Sequence, residues 1–278
     1  MPVLKHRFLL IVLVLVLPLT AGAYALDRLS RYQPPGDQSA RPELAGPDSP
    51  DLSAPPIMTL PDQPRFRPEP DTGPIRSDPL LTLPGEFPTD GPGTFQFART
   101  GGEVLGDSGP VRRFRVGVEH GVEETPTSVA AVVDGALRDR RGWTALGAVR
   151  FQRVPDGAGH DFTILLATSA TTARLCAGAG LDVVGRGLPS GGVSCRTPGQ
   201  VILNLSRWRQ SVPHFVTEQV PLLTYRRMLV NHEVGHELGL EHQTCPGAGE
   251  LAPVMQQQSL DLAGCRPNPW PYPAGPDR

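Results

Sequence analysis

Met228-Leu-Val-Asn-His-Glu-Val-Gly-His-Glu-Leu-Gly-Leu-Glu-His242 is the stretch on which the reading of this chain turns. As a helix it places His232 and His236 at i and i+4, so one face carries two imidazoles a single turn apart, a spacing that lets both bind one zinc ion. Glu233, beside the first of them, is placed to take a proton from a metal-bound water. Gly239 comes at the expected helix end, where a residue in the left-handed region turns the chain sharply. The turn brings back His242 as a third ligand. Three nitrogens leave the fourth tetrahedral position for water, which is the catalytic rather than the structural arrangement of zinc.

The N-terminal end reads as an export segment. Lys5-His6-Arg7 precede an apolar run from Phe8 to Leu19, with small residues after it through Ala25. Ala21-Gly22-Ala23 and Ala23-Tyr24-Ala25 are both small-x-small sequences of the kind that signal peptidases cut. The run to Leu26 also approaches the length of a membrane span. Residues 1–32 are therefore expected to be a cleaved signal peptide or an uncleaved signal-anchor, and the rest of the chain is expected outside the cell or in its envelope, secreted or membrane-anchored. From Gln33 to Thr94 the composition shifts to sixteen prolines, ten acidic residues against four arginines, and no lysine or cysteine. Isolated apolar residues in such a segment bury too little surface to offset the entropy of ordering it. Residues 33–94 are expected to be a disordered, Pro-rich acidic spacer, reaching on the order of 150–200 Å if fully extended. A pro-segment is the alternative role, though a cysteine switch is excluded because the first cysteine is Cys176.

Residues 95–278 are expected to form one globular domain. Val111–Val118 alternates apolar and polar residues and reads as a strand. Thr125–Arg140 reads as a helix with Thr125 as N-cap and Pro126 in the first turn. Strands are expected at Ala148–Val154, Phe162–Thr168 and Gln200–Leu205, a short helix at Ser169–Ala177, and a long helix at Thr217–Leu238 whose start Pro221 can delay. That order suits an α+β or α/β domain. The four cysteines allow three pairings; Cys176–Cys195 and Cys245–Cys265 are favoured because each closes a short local loop. The second pair would clamp the segment after His242. With a net charge of −2 and no basic cluster, a nucleic-acid partner is not expected. His120, His160 and His214 read as surface residues.

The quoted stretch resembles the metzincin metallopeptidase signature, H-E-x-x-H-x-x-G-x-x-H, at all five fixed positions: His232, Glu233, His236, Gly239 and His242. That resemblance implies a twisted mixed sheet, a backing helix, an active-site helix beneath the sheet, and an edge strand that pairs with extended substrate, for which it suggests Gln200–Leu205. It also implies a methionine turn under the ligands, for which Ala252-Pro-Val-Met255 is the candidate. Astacin- and serralysin-like members carry a tyrosine two residues beyond that methionine; here the position is Gln257, so a tyrosine that steadies the oxyanion is not expected. Asn204-Leu205-Ser206 matches a glycosylation sequon but falls in a strand, so it reads as coincidental. More narrowly, Cys245-Pro-Gly-Ala-Gly, Pro253-Val-Met-Gln-Gln-Gln and Gly264-Cys-Arg-Pro-Asn-Pro-Trp-Pro are similar to an uncharacterised family of exported actinobacterial proteins grouped with zinc metallopeptidases. The implied activity is zinc-dependent hydrolysis of peptide or protein substrates by a monomer with one catalytic Zn²⁺. The alternative is a zinc-stabilised envelope-binding module without turnover.

Overall fold

The computed structural model describes residues 79–185 and 191–275. The expectations for residues 1–32, and for 33–78 of the spacer, lie outside the described residues. Among the described residues no helix is long and apolar enough to cross a membrane.

Seven strands form one mixed sheet: β1 (Phe95–Phe97), β2 (Val104–Leu105), β3 (Val111–Glu119), β4 (Arg150–Arg153), β5 (Phe162–Ala167), β6 (Cys195–Thr197) and β7 (Gln200–Asn204). Their order is β2-β4-β3-β5-β7-β6, with β1 paired to the far end of β3. The four central strands, β4, β3, β5 and β7, are mutually parallel, while β1, β2 and β6 pair antiparallel. Parallel neighbours need a crossover, and helix α1 (Pro126–Arg138) supplies it between β3 and β4. Thr125 caps α1 by accepting a hydrogen bond from the Ser128 backbone N–H, and Ser128 Oγ accepts one from Thr125 N–H. Val129, Ala130, Val133, Ala136 and Leu137 fall on one face at helical spacing and are buried.

Of the central strands, β5 and β7 are covered on both faces, as parallel strands usually are. All six residues of β5 are buried. Phe162, Ile164 and Leu166 face the larger core with Phe114, Val116, Val201 and Leu203. Phe114 and Phe162 stack at 5.6 Å, and Phe151 meets Phe162 edge-on. On the other face Ala167 and Ile202 meet Cys176 of α2 (Ser169–Ala177). The larger core is closed by α1 and by α5 (Leu222–Glu237). Eleven of the sixteen residues of α5 are buried, the polar Asn231, His232, Glu233 and Glu237 among them.

Three sequence expectations change. The helix expected over Thr217–Leu238 starts at Leu222, the delay that Pro221 allowed, and a separate short helix, α4 (Pro213–Thr217), precedes it across Glu218–Pro221. Pro221 disfavours helical geometry in the residue before it, and Gln219 sits at φ +55°. The strand expected to reach Leu205 stops at Asn204, whose side chain accepts from the Ser206 N–H to cap α3 (Leu205–Gln210) and whose Nδ2 donates to the Gly191 carbonyl. Asn204 is fully buried, so its sequon is structural. The third change concerns the edge. β7 lies between β5 and β6, and it is β6 that ends the sheet on that side.

Both disulfides join the expected cysteines, Cys176–Cys195 tying α2 to β6 and Cys245–Cys265 closing a loop after His242. Residues 80–94, assigned to the spacer by composition, are hydrogen-bonded to the folded body. The Leu80 carbonyl accepts from Leu222 N–H, and Leu83 N–H donates to the Arg209 carbonyl. Further along, Gly93 N–H donates to the buried Glu119 carboxylate, which also takes hydrogen bonds from the Thr168 N–H and the Thr171 hydroxyl.

Candidate metal centre

Helix α5 presents His232 and His236 with ring centroids 4.8 Å apart. His242 arrives from the turn after the helix, 5.4 Å from His232 and 4.6 Å from His236. One ligand atom from each of the three lies within 4.8 Å of the others, a grouping that could hold a metal ion. The Nε2 atoms of His236 and His242 approach to 3.1 Å.

The turn that delivers His242 is a helix-ending motif built around Gly239. Gly239 N–H donates to the His236 carbonyl and Leu240 N–H to the Gly235 carbonyl, with Gly239 at φ +89°. These are the two bonds of a Schellman ending, and they need a residue free to enter the left-handed region. The same motif sets the imidazole beside it, because the Leu240 carbonyl accepts from His236 Nδ1 at 2.8 Å. His232 Nδ1 is held in the same way by the Val254 carbonyl at 2.9 Å. A carbonyl can only accept, so in both rings Nδ1 carries the proton and, in the neutral ring, Nε2 offers its lone pair. Burial keeps these rings neutral. It pushes His232 down to about 3, helped by the neighbouring His236, and lowers His236 and His242 as well. Neutral imidazoles with converging Nε2 atoms are what a bound zinc ion requires, so the residues present fit that group.

Beneath the histidines the chain returns as residues 250–272. Leu251 bridges to Arg266, Ala252 N–H donates to the Arg266 carbonyl, and Gln243 N–H donates to the Met255 carbonyl. Gln258 and Asn268 fasten the turn from below: Gln258 Nε2 donates to the carbonyls of Pro253 and Asn268, and Asn268 Nδ2 to that of Ala252. Met255 is fully buried against the α5 backbone at Gly235. A methyl at Gly235 would overlap the Met255 sulfur and lie 2.8 Å from Trp143 Cζ2. The Trp143 ring is itself pinned by its Nε1–H to the Asn231 carbonyl. Gly235→Ala is therefore expected to cost about 1–3 kcal/mol through overpacking and to weaken metal binding by displacing the helix from the methionine. Thermal denaturation and a metal titration on the same protein check both.

Glu233, only 5 % exposed, lines the cavity beside the histidines. Burial pushes its carboxyl up to about 8. The cavity is about 480 Å³ and is lined by the apolar Met228, Leu229 and Leu260 and by the edge segment Val193–Arg196. Glu237, next to His236, joins helix to sheet: Oε1 accepts from Arg112 of β3 at 3.0 Å and Oε2 from Arg196 of β6 at 2.8 Å. His214, half-buried, bonds the Gln258 carbonyl, while His120 and His160 are exposed. None of the three belongs to the metal-site grouping.

Sequence reading did not find Arg196, Glu237 or the two carbonyl acceptors. Backbone acceptors carry no residue signal. Glu237 is buried, and a buried carboxylate needs a cationic partner, but that burial shows only in the fold.

The fold and site together define a mixed α/β domain with a three-histidine cluster that could hold a metal ion. Residues 82–273 match the family described as protein of unknown function DUF3152, and the chain belongs to that family. No curated protein and no solved structure matches it.

Proposed function

We propose that this chain is an exported zinc-dependent endopeptidase. The observation that carries the reading is the convergence of His232, His236 and His242 beside a buried, cavity-lining carboxyl, Glu233. A bound zinc ion would supply Lewis acidity, lowering the pKa of a water and polarising the peptide carbonyl. Glu233 takes the proton of that water as it attacks and hands it to the leaving nitrogen. The carbonyls of Leu240 and Val254 keep two imidazoles in the ligating tautomer throughout.

The peptide would lie along β6, whose outer edge has no strand partner among the described residues, by addition of a strand to the sheet. An antiparallel edge strand beside the cleft, a helix carrying the ligands beneath the sheet and a buried methionine under them support the metzincin-like reading. Two disulfides support an oxidising compartment. The deciding experiment loads the full chain with zinc and measures bound metal and cleavage of a random peptide library. One zinc per chain with cleavage at internal bonds is expected. One zinc per chain with no cleavage of any sequence would leave a metal-stabilised module and sink the peptidase.

A further inference from the structure

Arg196 is the one arginine or lysine among the described residues that line the cavity; apart from Glu233, the other charged side chains there are Asp182 and Glu241. Its Nε donates to Glu237 Oε2, while Arg112 occupies Oε1 of the same carboxylate. Two guanidinium groups thus share one buried negative charge, and the triad retains a net positive charge. Arg196 carries the larger opening to solvent, its side chain 31 % exposed against 21 % for Arg112. Neither of its Nη groups has a hydrogen-bond partner among the described residues. The guanidinium is also fixed in place. Cys195 beside it is bonded to Cys176, Arg196 is paired in register with Val201, and Glu237 comes directly after the ligand His236.

A guanidinium whose Nε is already held, with unpartnered Nη donors on a residue that lines the cleft, is a fork for a carboxylate. We infer that Arg196 recognises a substrate carboxylate, so that the preferred peptide carries an acidic side chain or its own C-terminus close to the bond that is cut. This rests on the peptidase reading, which supplies the peptide. Asp182 and Glu241 would disfavour an anion elsewhere on the wall, so the preference is confined to the position facing Arg196.

The test uses the zinc-loaded full chain and short peptide hydroxamates, whose affinity is measured by calorimetry and needs no turnover. One series moves a single Glu/Gln pair through three positions; a second compares a free C-terminal carboxylate with its amide. The wild type is expected to bind one carboxylate-bearing probe about 10–100-fold more tightly than its neutral twin, the range of a charge-assisted hydrogen bond. Whichever series shows the difference identifies the source of the carboxylate. Arg196→Met should bind both twins equally with zinc content unchanged. Arg196→Lys, which keeps the charge and the pairing with Glu237 but not the fork, should retain part of the preference. Equal binding of all twins by the wild type, or a preference that survives in Arg196→Met, overturns the inference. Discrimination without cleavage of any peptide would sink the peptidase and leave the carboxylate site standing. Cleavage without any carboxylate preference would do the reverse. A zinc-loaded chain that binds no hydroxamate overturns both.

Discussion

Glutamine in place of Glu233 is expected to cut turnover by about 10²–10⁴-fold, the range a positioned general base contributes, while leaving one metal ion per chain. The variant keeps the shape and removes the base, so metal content and kcat should separate cleanly. Its metal-free form carries a second expectation of opposite sign. Burial raises the Glu233 carboxyl from its ordinary 4.5 to about 8, so the folded state prefers the neutral acid. That preference favours the fold fully below about pH 4.5 and is lost as pH rises through 8, where a buried carboxylate must be carried. Glutamine imitates the neutral form at every pH. Melting curves of the metal-free proteins should therefore coincide near pH 4.5 and separate by pH 9, with Glu233→Gln melting higher. Coincidence at pH 9 would mean that the carboxylate is solvated in the folded chain. A residue that costs stability yet supports turnover is a pattern expected of active sites.

Opening the Cys245–Cys265 bridge by replacing both cysteines with alanine is the second large effect. A loop of that length constrains the unfolded chain by about 3 kcal/mol, which for a domain of this size lowers the melting temperature by about 6–12 °C. The bridge does more than shorten the unfolded chain. It holds the segment that supplies the Val254 carbonyl to His232 and the Met255 carbonyl to Gln243, the residue after His242. Metal affinity should fall about 10–100-fold, as when a ligand loses its orienting partner. Removing Cys176–Cys195 instead should cost similar stability but spare most of the affinity, because that bridge fastens β6 and α2 and no histidine. Equal losses of metal binding in the two variants would show that the bridge acts through global stability alone.

The histidines and Gly239 were legible because helix pitch and one left-handed residue fix their geometry over eleven positions of contiguous chain. The disulfides were legible for the same reason, each closing a local loop. The long strands and α1 were legible from periodicity and capping. β1, β2 and β6 were not visible because two or three residues are too few for an alternating pattern; they exist through the strands they pair with. The choice of Gln200–Leu205 as the edge went against a signal already in the chain. Val201-Ile202-Leu203 is a continuous apolar run, which belongs to a strand covered on both faces, whereas Arg196 gives β6 the charge usual at an edge. Arg196 itself was out of reach. Its meaning depends on Glu237, forty-one residues further on, and on a sheet order that only the fold provides.

The three ligands are not held alike. His232 and His236 are each locked by a carbonyl, whereas the exposed His242 bonds only to His236 among the described residues, Nε2 to Nε2. Two of the three imidazoles are oriented by backbone carbonyls, while the third is placed by the turn at Gly239. The cluster therefore combines a backbone-locked pair on α5 with a third imidazole open to solvent. Were a metal ion held there, His242 would be the ligand that solvent reaches most easily. Exchange of such an ion is then expected to respond to substitutions around His242 more than to substitutions around His232.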